Sequence, residues 1–398
     1  MSWPLIRLGD LVSVKGGKRL PKGESYSDEI TTHPYIRVTD FKNNSVDMDN
    51  LVYISDDIHE KISRYIISHD DLYISIAGTI GLVGVIPKEL SGANLTENAA
   101  KLVIHDHKQL CKEYLNWYLS TAGQVQIQSK KKATSQPKLA LFRIEEIEIP
   151  LPPLAEQKRI AAILDKADTI RQKRKQAIDL ADEFLRSVFL DMFGDPVTNP
   201  KGWKVSPMKK LIDIQGGYAF KSGDFGETGT PVVKIGNANK LGFTTKGIAF
   251  IEPDNPEKLK QYELYAGDLL MSLTGTVGKD DYANITEVTN AYSKYYLNQR
   301  VAKISILSPV MKSYLKYYFA NPKVKSEITK NNRGVRQANI SNNDIYDLDV
   351  PVPDEDSLRK FAVLATRMQD LRHKIKLQPK SDSELFNALS QKAFSGEL

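Results

Sequence analysis

Apolar residues recur at intervals of three and four between residues 154 and 193, a stretch without glycine or proline. This spacing predicts one helix with a single apolar stripe. At 1.5 Å per residue the helix would be roughly 55–60 Å long, and Gly194 and Pro196 would end it. The stripe consists of Ile160, Ile163, Leu164, Ala167, Ile170, Ala177, Ile178, Ala181, Phe184, Leu185, Val188 and Phe189.

A second amphipathic stretch runs from Leu358 to Ile375 and resumes from Leu385 to Phe394. Pro379 interrupts it, which predicts a kink or break near residues 378–379. A lone helix cannot bury such a stripe by itself, so we expect the two long helices to pair antiparallel. The alternative is that each helix docks separately on its own domain.

The chain also repeats itself, with offsets of 197 to 201 residues between matching blocks. The order of the blocks is the same in both halves, which indicates a duplication. Between the blocks the halves diverge, as two binding sites of different preference would; duplication with drift and no functional split is the alternative. The blocks are residues 71–81 with 268–278, 114–118 with 314–318, 149–153 with 350–353, and Gly16-Gly17 with Gly216-Gly217.

Strand-forming composition occurs in the front part of each half, and proline closes each front part before a long helix begins. Short helices fit residues 109–121 and 310–320, and Gly78, Gly81 and Gly84 fit turns. We therefore predict an α+β fold: two similar mixed domains with small twisted sheets, separated by two long helices that form an antiparallel coiled coil with pseudo-twofold symmetry. The predicted strands are residues 72–76, 101–104, 231–235 and 301–306, and the predicted segments are 1–152, 153–196, 197–353 and 354–398.

The charge balance is mildly basic, with 55 Lys and Arg against 49 Asp and Glu. It permits a nucleic-acid partner without requiring one. The single cysteine, Cys111, excludes an intramolecular disulfide and fits a reducing compartment. Because the chain has neither an apolar run of roughly 18 residues nor the order of a signal peptide, we expect a cytoplasmic protein without membrane association.

No catalytic constellation is present in the sequence. The six histidines and Cys111 lack the spacing of a zinc site, and no GxSxG nucleophile motif occurs. The acidic run at residues 145–148 favours a solvated edge over a metal-dependent cleavage site. A duplicated chain without a duplicated acid, base or metal set indicates a binding protein with no catalytic residues and no metal.

Sequence-specific DNA binding needs forked donors and amides for base edges and cations for phosphates. Such residues recur at equivalent places in both halves, although a solvated charged face is the alternative for each run. The candidates are Lys18, Arg19, Arg37, Lys42, Thr79, Lys131, Lys132, Ser135 and Gln136 in the first half, and Lys234, Asn237, Asn239, Thr276, Arg333, Arg336, Gln337 and Asn339 in the second.

Three strings carry a resemblance to a known family: residues 149–160 (IPLPPLAEQKRI), the repeated blocks 71–81 and 268–278, and the ending AFSGEL. Over essentially its whole length the chain resembles the specificity subunit of type I restriction–modification systems. The second proline string departs from the pattern, since residues 353–357 read PDEDS.

The resemblance implies a non-catalytic subunit with two target recognition domains, each reading one half of a split target in double-stranded DNA. The helices would act as a ruler for the unread spacer and would dock two modification (methyltransferase) subunits. Restriction subunits with helicase and nuclease activity would join the same complex. S-adenosylmethionine, ATP and Mg²⁺ would belong to these partner subunits, and this chain would bind no cofactor.

Two alternatives come from other functional classes. One is a nuclease or methyltransferase active as a single chain, which assays of the purified chain with Mg²⁺ or S-adenosylmethionine would test. The other is a scaffold whose front domains bind protein, which would not show DNA binding with a steep dependence on salt.

Substitution of the candidate cations is expected to separate the two half-sites. Arg333→Ala or Arg336→Ala should change recognition of one half-site only, and Lys132→Ala should change the other, because each front domain contacts its own half. Methylome sequencing of cells that carry each variant measures this. A variant that alters both half-sites together contradicts the division of labour.

Overall fold

The computed structural model describes residues 3–130, 137–240, 242–276, 281–330, 337–377 and 382–398. The chain divides into two compact units: unit 1 comprises Met1–Gln176 and Lys376–Leu398, and unit 2 comprises Ala177–Ile375. The boundary between the units lies within a helix of 40 residues, so each unit includes part of that helix. The four segments drawn from the sequence stay a prediction.

Unit 1 begins with short strands and helices that precede the long helix. Its first strands are β1 (Leu5–Arg7), β2 (Val12–Gly16), β3 (Pro34–Ile36), β4 (Phe41–Lys42), β5 (Ser45–Val46), β6 (Val52–Tyr53), β7 (Ile66–Ile67), β8 (Leu72–Ser75), β9 (Val83–Val85), β10 (Ala93–Leu95), β11 (Ala99–Ile104) and β12 (Glu148–Pro150). Its helices are α1 (Leu8–Leu11), α2 (Asp56–Lys61), α3 (Lys112–Ser120), α4 (Gln124–Ser129), α5 (Leu141–Glu145) and the first part of α6 (Leu154–Phe193).

Unit 2 contains the second set of elements. Its strands are β13 (Lys204–Pro207), β14 (Ile212–Gly216), β15 (Thr230–Val233), β16 (Ala238–Asn239), β17 (Gly242–Phe243), β18 (Ala249–Ile251), β19 (Glu263–Leu264), β20 (Leu269–Ser272), β21 (Thr274–Thr276), β22 (Ile285–Glu287), β23 (Tyr295–Leu297), β24 (Val301–Ile306), β25 (Gln337–Asn339) and β26 (Asp349–Val352). Its helices are α7 (Lys312–Ala320), α8 (Pro322–Thr329), α9 (Asn342–Tyr346) and α10 (Glu355–Leu377), and α11 (Asp382–Ser395) returns to unit 1.

The two units have the same sheet topology. An antiparallel four-stranded sheet has the order β2-β11-β8-β9 in unit 1 and β14-β24-β20-β22 in unit 2. A mixed sheet has the order β6-β3-β10-β7 in one and β18-β15-β23-β19 in the other, and its only parallel pair is β3 with β10 or β15 with β23. The predicted duplication and the α+β class are confirmed.

Helix α6 spans the predicted residues, and Gly194 ends it with a φ of 77°. In the C-terminal stretch, α10 is described as far as Leu377 and α11 from Asp382 onward, and the break that Pro379 indicates near residues 378–379 stays a prediction. Residues 378–381 lie outside the described residues. Gly78 and Gly81 have positive φ and form turns, whereas Gly84 lies inside strand β9. The expectation for Gly84 was wrong, because its hydrogen side chain makes room for the Tyr73 hydroxyl: a Cβ there would lie 2.3 Å away.

In unit 1, the first part of α6 shares a buried core with the antiparallel sheet, α3 and α11. The aromatic rings of Tyr114 and Trp117 on α3 contact Phe394 and Phe386 on α11, each with centroids 5.4 Å apart. The Trp117 indole N–H also donates to Asp165 of α6, at 2.7 Å. Helix α11 therefore covers an apolar surface that α3 and α6 would otherwise expose.

In unit 2, the second part of α6 packs against α10. Phe193 contacts Phe361 with ring centroids 5.3 Å apart, and Arg372 donates to Asp182 at 2.6 Å. Higher residue numbers on α6 thus lie beside lower numbers on α10, so the two helices run antiparallel, as predicted. Among the described residues, no helix has the length and apolar character that a membrane span requires.

The glutamine of the proline-rich string holds the start of α6 to unit 1. Gln157 is fully buried, and its Oε1 accepts from the backbone N–H of Cys111 at 2.8 Å. Its Nε2 donates to the carbonyls of Gln109 and Pro152, both at 2.9 Å. The backbone of Cys111 is extended, with φ −78° and ψ 126°, so α3 begins at Lys112, later than the sequence predicted.

In unit 2 the residues at the equivalent positions are apolar. Leu358 takes the place of Gln157 in the repeat and Met311 that of Cys111, and both are buried in the core of unit 2. The start of α10 is capped instead by Asp354, whose carboxylate accepts from the Ser357 N–H at 2.9 Å. The different sequence of the second proline string, PDEDS at residues 353–357, thus corresponds to a different way of fixing the start of the helix that follows.

Gln157→Ala should lower the free energy of unfolding by about 3 kcal/mol, because it leaves the buried Cys111 N–H and Pro152 carbonyl without partners and removes the bond to the Gln109 carbonyl. Urea denaturation of the full chain measures this. The exposed neighbour Lys158 provides the control, and Lys158→Ala should stay within about 0.5 kcal/mol of wild type. Equal stability of the two variants would contradict the role of Gln157.

Candidate nucleic-acid interface

In unit 1, four loops meet where strands β2, β8 and β11 leave the antiparallel sheet. The Lys18 N–H donates to the Leu95 carbonyl at 2.8 Å, and the Ile76 N–H donates to the Asn98 carbonyl at 2.8 Å. The Leu139 N–H then donates to the Ile76 carbonyl at 2.9 Å. These bonds fix the loops to one another, and we call the group the loop cluster of unit 1: residues 16–19, 76–79, 96–98 and 137–139.

Unit 2 contains the same arrangement. The Tyr218 N–H donates to the Leu297 carbonyl at 2.8 Å, and the Leu273 N–H donates to the Arg300 carbonyl at 3.0 Å. The Ile340 N–H donates to the Leu273 carbonyl at 2.9 Å. Each bond has its counterpart in unit 1, so the backbone is shared while the side chains differ. The loop cluster of unit 2 consists of residues 216–219, 273–276, 298–300 and 337–340.

The second glycine of each repeated pair is explained by close backbone contact within each cluster. A Cβ on Gly17 would lie 2.1 Å from the Thr96 carbonyl oxygen, and one on Gly217 would lie 2.3 Å from the Asn298 carbonyl. Only glycine fits at such distances. The two glycines therefore seat the loop after β2 or β14 directly on the loop before β11 or β24.

The side chains around the cluster of unit 1 suit contact with an anion or a base edge. Lys18, Arg19, Thr79 and Lys138 are exposed, and Asn98 is half-buried. Cations of this kind bind phosphates, and amide and guanidinium groups bind base edges.

The cluster of unit 2 has different side chains. Gln299, Arg300 and Thr276 are exposed, and Tyr218 is 41% exposed. Strands β21 and β25 form a two-stranded ribbon in which Thr276 pairs with Gln337. The exposed Asn339 lies on the same ribbon.

Several predicted residues have their side chains engaged within the chain. Arg37 donates to both carboxylate oxygens of Asp40 and to the Asn50 carbonyl, and Lys42 forms an ion pair with Asp47. The guanidinium group of Arg37 is therefore occupied by partners within unit 1.

In the equivalent turn of unit 2, the side-chain amides form hydrogen bonds with backbone groups of the same unit. Asn237 is buried, and its side chain accepts from the Lys234 N–H and donates to the Thr244 carbonyl, both at 3.0 Å. The Lys234 ammonium lies 3.5 Å from the centre of the Phe225 ring, and Asn239 donates to the Gly236 carbonyl at 2.9 Å. The recurrence of these residues reflects a shared turn.

Six candidates lie outside the described residues, and so does the side chain of Gln337. The described ends of their segments, at Lys138 and at β25, belong to the two loop clusters. As DNA contacts these residues stay a prediction. The six are Lys131, Lys132, Ser135, Gln136, Arg333 and Arg336.

The sequence analysis missed Glu97, Asn98, Tyr218, Gln299 and Arg300. All but Tyr218 directly precede strands β11 and β24, whose composition was recognised. The glycine pairs were a usable signal, because a repeated Gly-Gly indicates that another backbone approaches closely.

In the parts of the chain that the structure describes, no group of three His, Cys, Asp or Glu side chains could hold a metal ion. The family model of the type I restriction modification DNA specificity domain matches the chain twice, over residues 2–180 and 200–378. The chain belongs to this family. The two matches correspond to the two copies of the repeat, and each includes one loop cluster.

Named relatives match nearly the whole chain. The MjaVIII specificity subunit of Methanocaldococcus jannaschii is 23% identical over 408 residues, covering 97% of this chain and 90% of that protein. The EcoKI specificity subunit of Escherichia coli is 23% identical over 394 residues, covering 92% and 82%.

Solved structures share the fold at lower identity. The type I restriction–modification S subunit from M. genitalium has a TM-score of 0.60 and 14% identity, covering 98% of this chain and 96% of that one. A chain from a structure concerned with complex assembly and conformational transition of the type I R-M system has a TM-score of 0.51 and 17% identity, covering 100% and 98%.

Gly217→Ala should destabilise the chain by about 1–3 kcal/mol, because the added methyl group must displace the backbone at Asn298. Gly216 is the matched control: a Cβ there meets no atom within 4 Å. Urea denaturation of both variants measures the difference. A Gly217→Ala chain as stable as the Gly216→Ala chain would show that the close contact has no energetic role.

Proposed function

We propose that the chain is the DNA-specificity subunit of a type I restriction–modification complex, and that each loop cluster reads one half of a split target in double-stranded DNA. The observation that carries this is the pair of clusters with equivalent backbone bonds and different exposed side chains. A shared backbone with different lining suits two sites of one kind with different base preferences. Membership of the specificity family favours this function over a single-chain enzyme and over a protein-binding scaffold.

The chemistry of the clusters matches the two tasks of a DNA reader. Lys18 and Lys138 offer exposed cations for phosphate oxygens in unit 1. Arg300 and Gln299 offer a fork and an amide for base edges in unit 2. Phosphate contacts supply affinity that falls with salt, and base contacts supply the sequence preference.

The bond chemistry would come from partner subunits. Modification subunits would bring S-adenosylmethionine and methylate adenine, and restriction subunits would bring ATP and Mg²⁺ for translocation and cleavage. The long helices suit the docking of modification subunits, because Leu180, Phe184 and Leu190 of α6 are between 46% and 55% exposed. Exposed apolar side chains on one helix are typical of a surface for another protein.

Selection of duplexes from a random pool by the purified chain should enrich a bipartite sequence with an unread spacer. Binding should weaken steeply with salt, because contacts to phosphate release counterions. Sequencing of the enriched pool and a salt titration of binding measure the two effects.

The double variant with Lys18→Ala and Lys138→Ala should weaken binding to all sequences equally and reduce the salt slope by about one per lost phosphate contact. It should leave the enriched sequence unchanged. A pool without enrichment, or binding independent of salt, would contradict the proposed function.

A further inference from the structure

An ion pair lies within the loop cluster of unit 1. The Arg19 Nε donates to Glu97 Oε1 at 2.7 Å, and the Thr96 hydroxyl donates to Glu97 Oε2 at 3.0 Å. Thr96 is buried, and the Glu97 side chain is 29% exposed. The carboxylate is therefore held at both oxygens, with a fixed orientation toward Arg19.

The backbone beneath this pair is fixed as well. Gly17 is seated on the Thr96 carbonyl, and the Lys18 N–H bonds to the Leu95 carbonyl. The Tyr35 hydroxyl donates to the Lys18 carbonyl at 2.7 Å, and burial raises the pKa of Tyr35 to about 12, so this hydroxyl keeps its proton at neutral pH. Arg19 therefore extends from a rigid support.

The far end of Arg19 is free while its near end is held. The side chain is 78% exposed, and within the described residues no hydrogen bond engages its Nη1 or Nη2. Glu97 occupies only Nε, so the two terminal nitrogens remain as a fork. A guanidinium fork pairs with O6 and N7 of guanine in the major groove, the commonest specific contact of arginine with DNA.

The charges of the pair are maintained at neutral pH. Partial burial opposes ionisation of Glu97, but hydrogen bonds from Arg19, from its own backbone and from Thr96 outweigh it and lower the pKa of Glu97. The hydrogen bond to Glu97 raises the pKa of Arg19. A carboxylate on a DNA-facing loop repels phosphates, so its presence there points to a positioning role.

Resting on the proposed function, we propose that Arg19 reads a guanine in the half-site of unit 1 and that Glu97 positions it for this contact. The repeat places Ala219 and Gln299 at the corresponding positions of unit 2. Neither can form such an ion pair. At this position of the repeat, the ion-paired arginine therefore occurs in unit 1 and not in unit 2, and it gives the two half-sites different base preferences.

Selection from a random duplex pool, followed by competition with duplexes changed at single positions, tests the proposal. Arg19→Ala should reduce discrimination for guanine at one position of one half-site by on the order of ten- to hundred-fold. Arg19→Lys should lose the same discrimination while keeping the salt slope of wild type, because lysine keeps the charge without the fork.

Glu97→Gln separates positioning from stability. It should weaken guanine discrimination at the same position, while binding to non-specific duplex stays equal or becomes tighter, because a negative charge near the phosphates is lost. A merely structural role would lower both kinds of binding together. Urea denaturation of each variant establishes that the fold is intact.

Arg7 and Glu148 provide matched controls in the same unit. They are register partners in strands β1 and β12, outside the loop cluster, and both are exposed. Arg7→Ala and Glu148→Gln should leave the selected sequence unchanged.

Two results overturn the inference in distinguishable ways. If wild type selects a bipartite target and the Arg19→Ala and Arg19→Lys chains select the same one, the assignment of Arg19 is wrong and the proposed function stands. If wild type enriches no sequence, the proposed function fails and the inference with it.

Discussion

Burial of the two ends of the apolar stripe on helix α6, at Ile160 and Leu164 and at Leu185 and Phe189, is the constraint on which both units depend. A helix of 40 residues has no stable place in water unless other elements cover its stripe. In unit 1 the sheet, α3 and α11 cover it, and in unit 2 α7 and α10 do so. Unit 1 is therefore completed by α11, which comes from the C-terminal end of the chain, and unit 2 is completed by α10.

This arrangement explains why the two repeats diverged at the start of their long helices. Unit 1 fixes α6 through the three hydrogen bonds of Gln157, whereas unit 2 fixes α10 by burial of Leu358 in the core that also contains Met311. A fully satisfied polar contact and an apolar contact can hold the same junction. The divergent second proline string is thus a different solution to one packing problem.

In each loop cluster, the backbone contacts that stabilise the loops are distinct from the side chains that we propose set the base preference. Gly17 and Gly217 and the backbone bonds around them hold the loops, and they are the same in both units. The exposed and half-buried side chains carry little of the packing, so they were free to change: in the repeat, Lys18 corresponds to Tyr218 and Asn98 to Arg300. Under the proposed function, this freedom lets one backbone serve two different half-sites.

The sequence by itself determined the duplication, the bounds of α6 and the family resemblance. These follow from the spacing and order of residues along the chain, which can be read without knowing any tertiary contact. Which cations are free was decided only by the tertiary structure: Arg37 and Lys42 are engaged by Asp40 and Asp47. The contact between Arg19 and Glu97 also required it, because these two residues are 78 positions apart in the chain and meet only after strands β2 and β11 pair. Charge and composition can be read along a chain, but the partner of a side chain depends on contacts that folding creates.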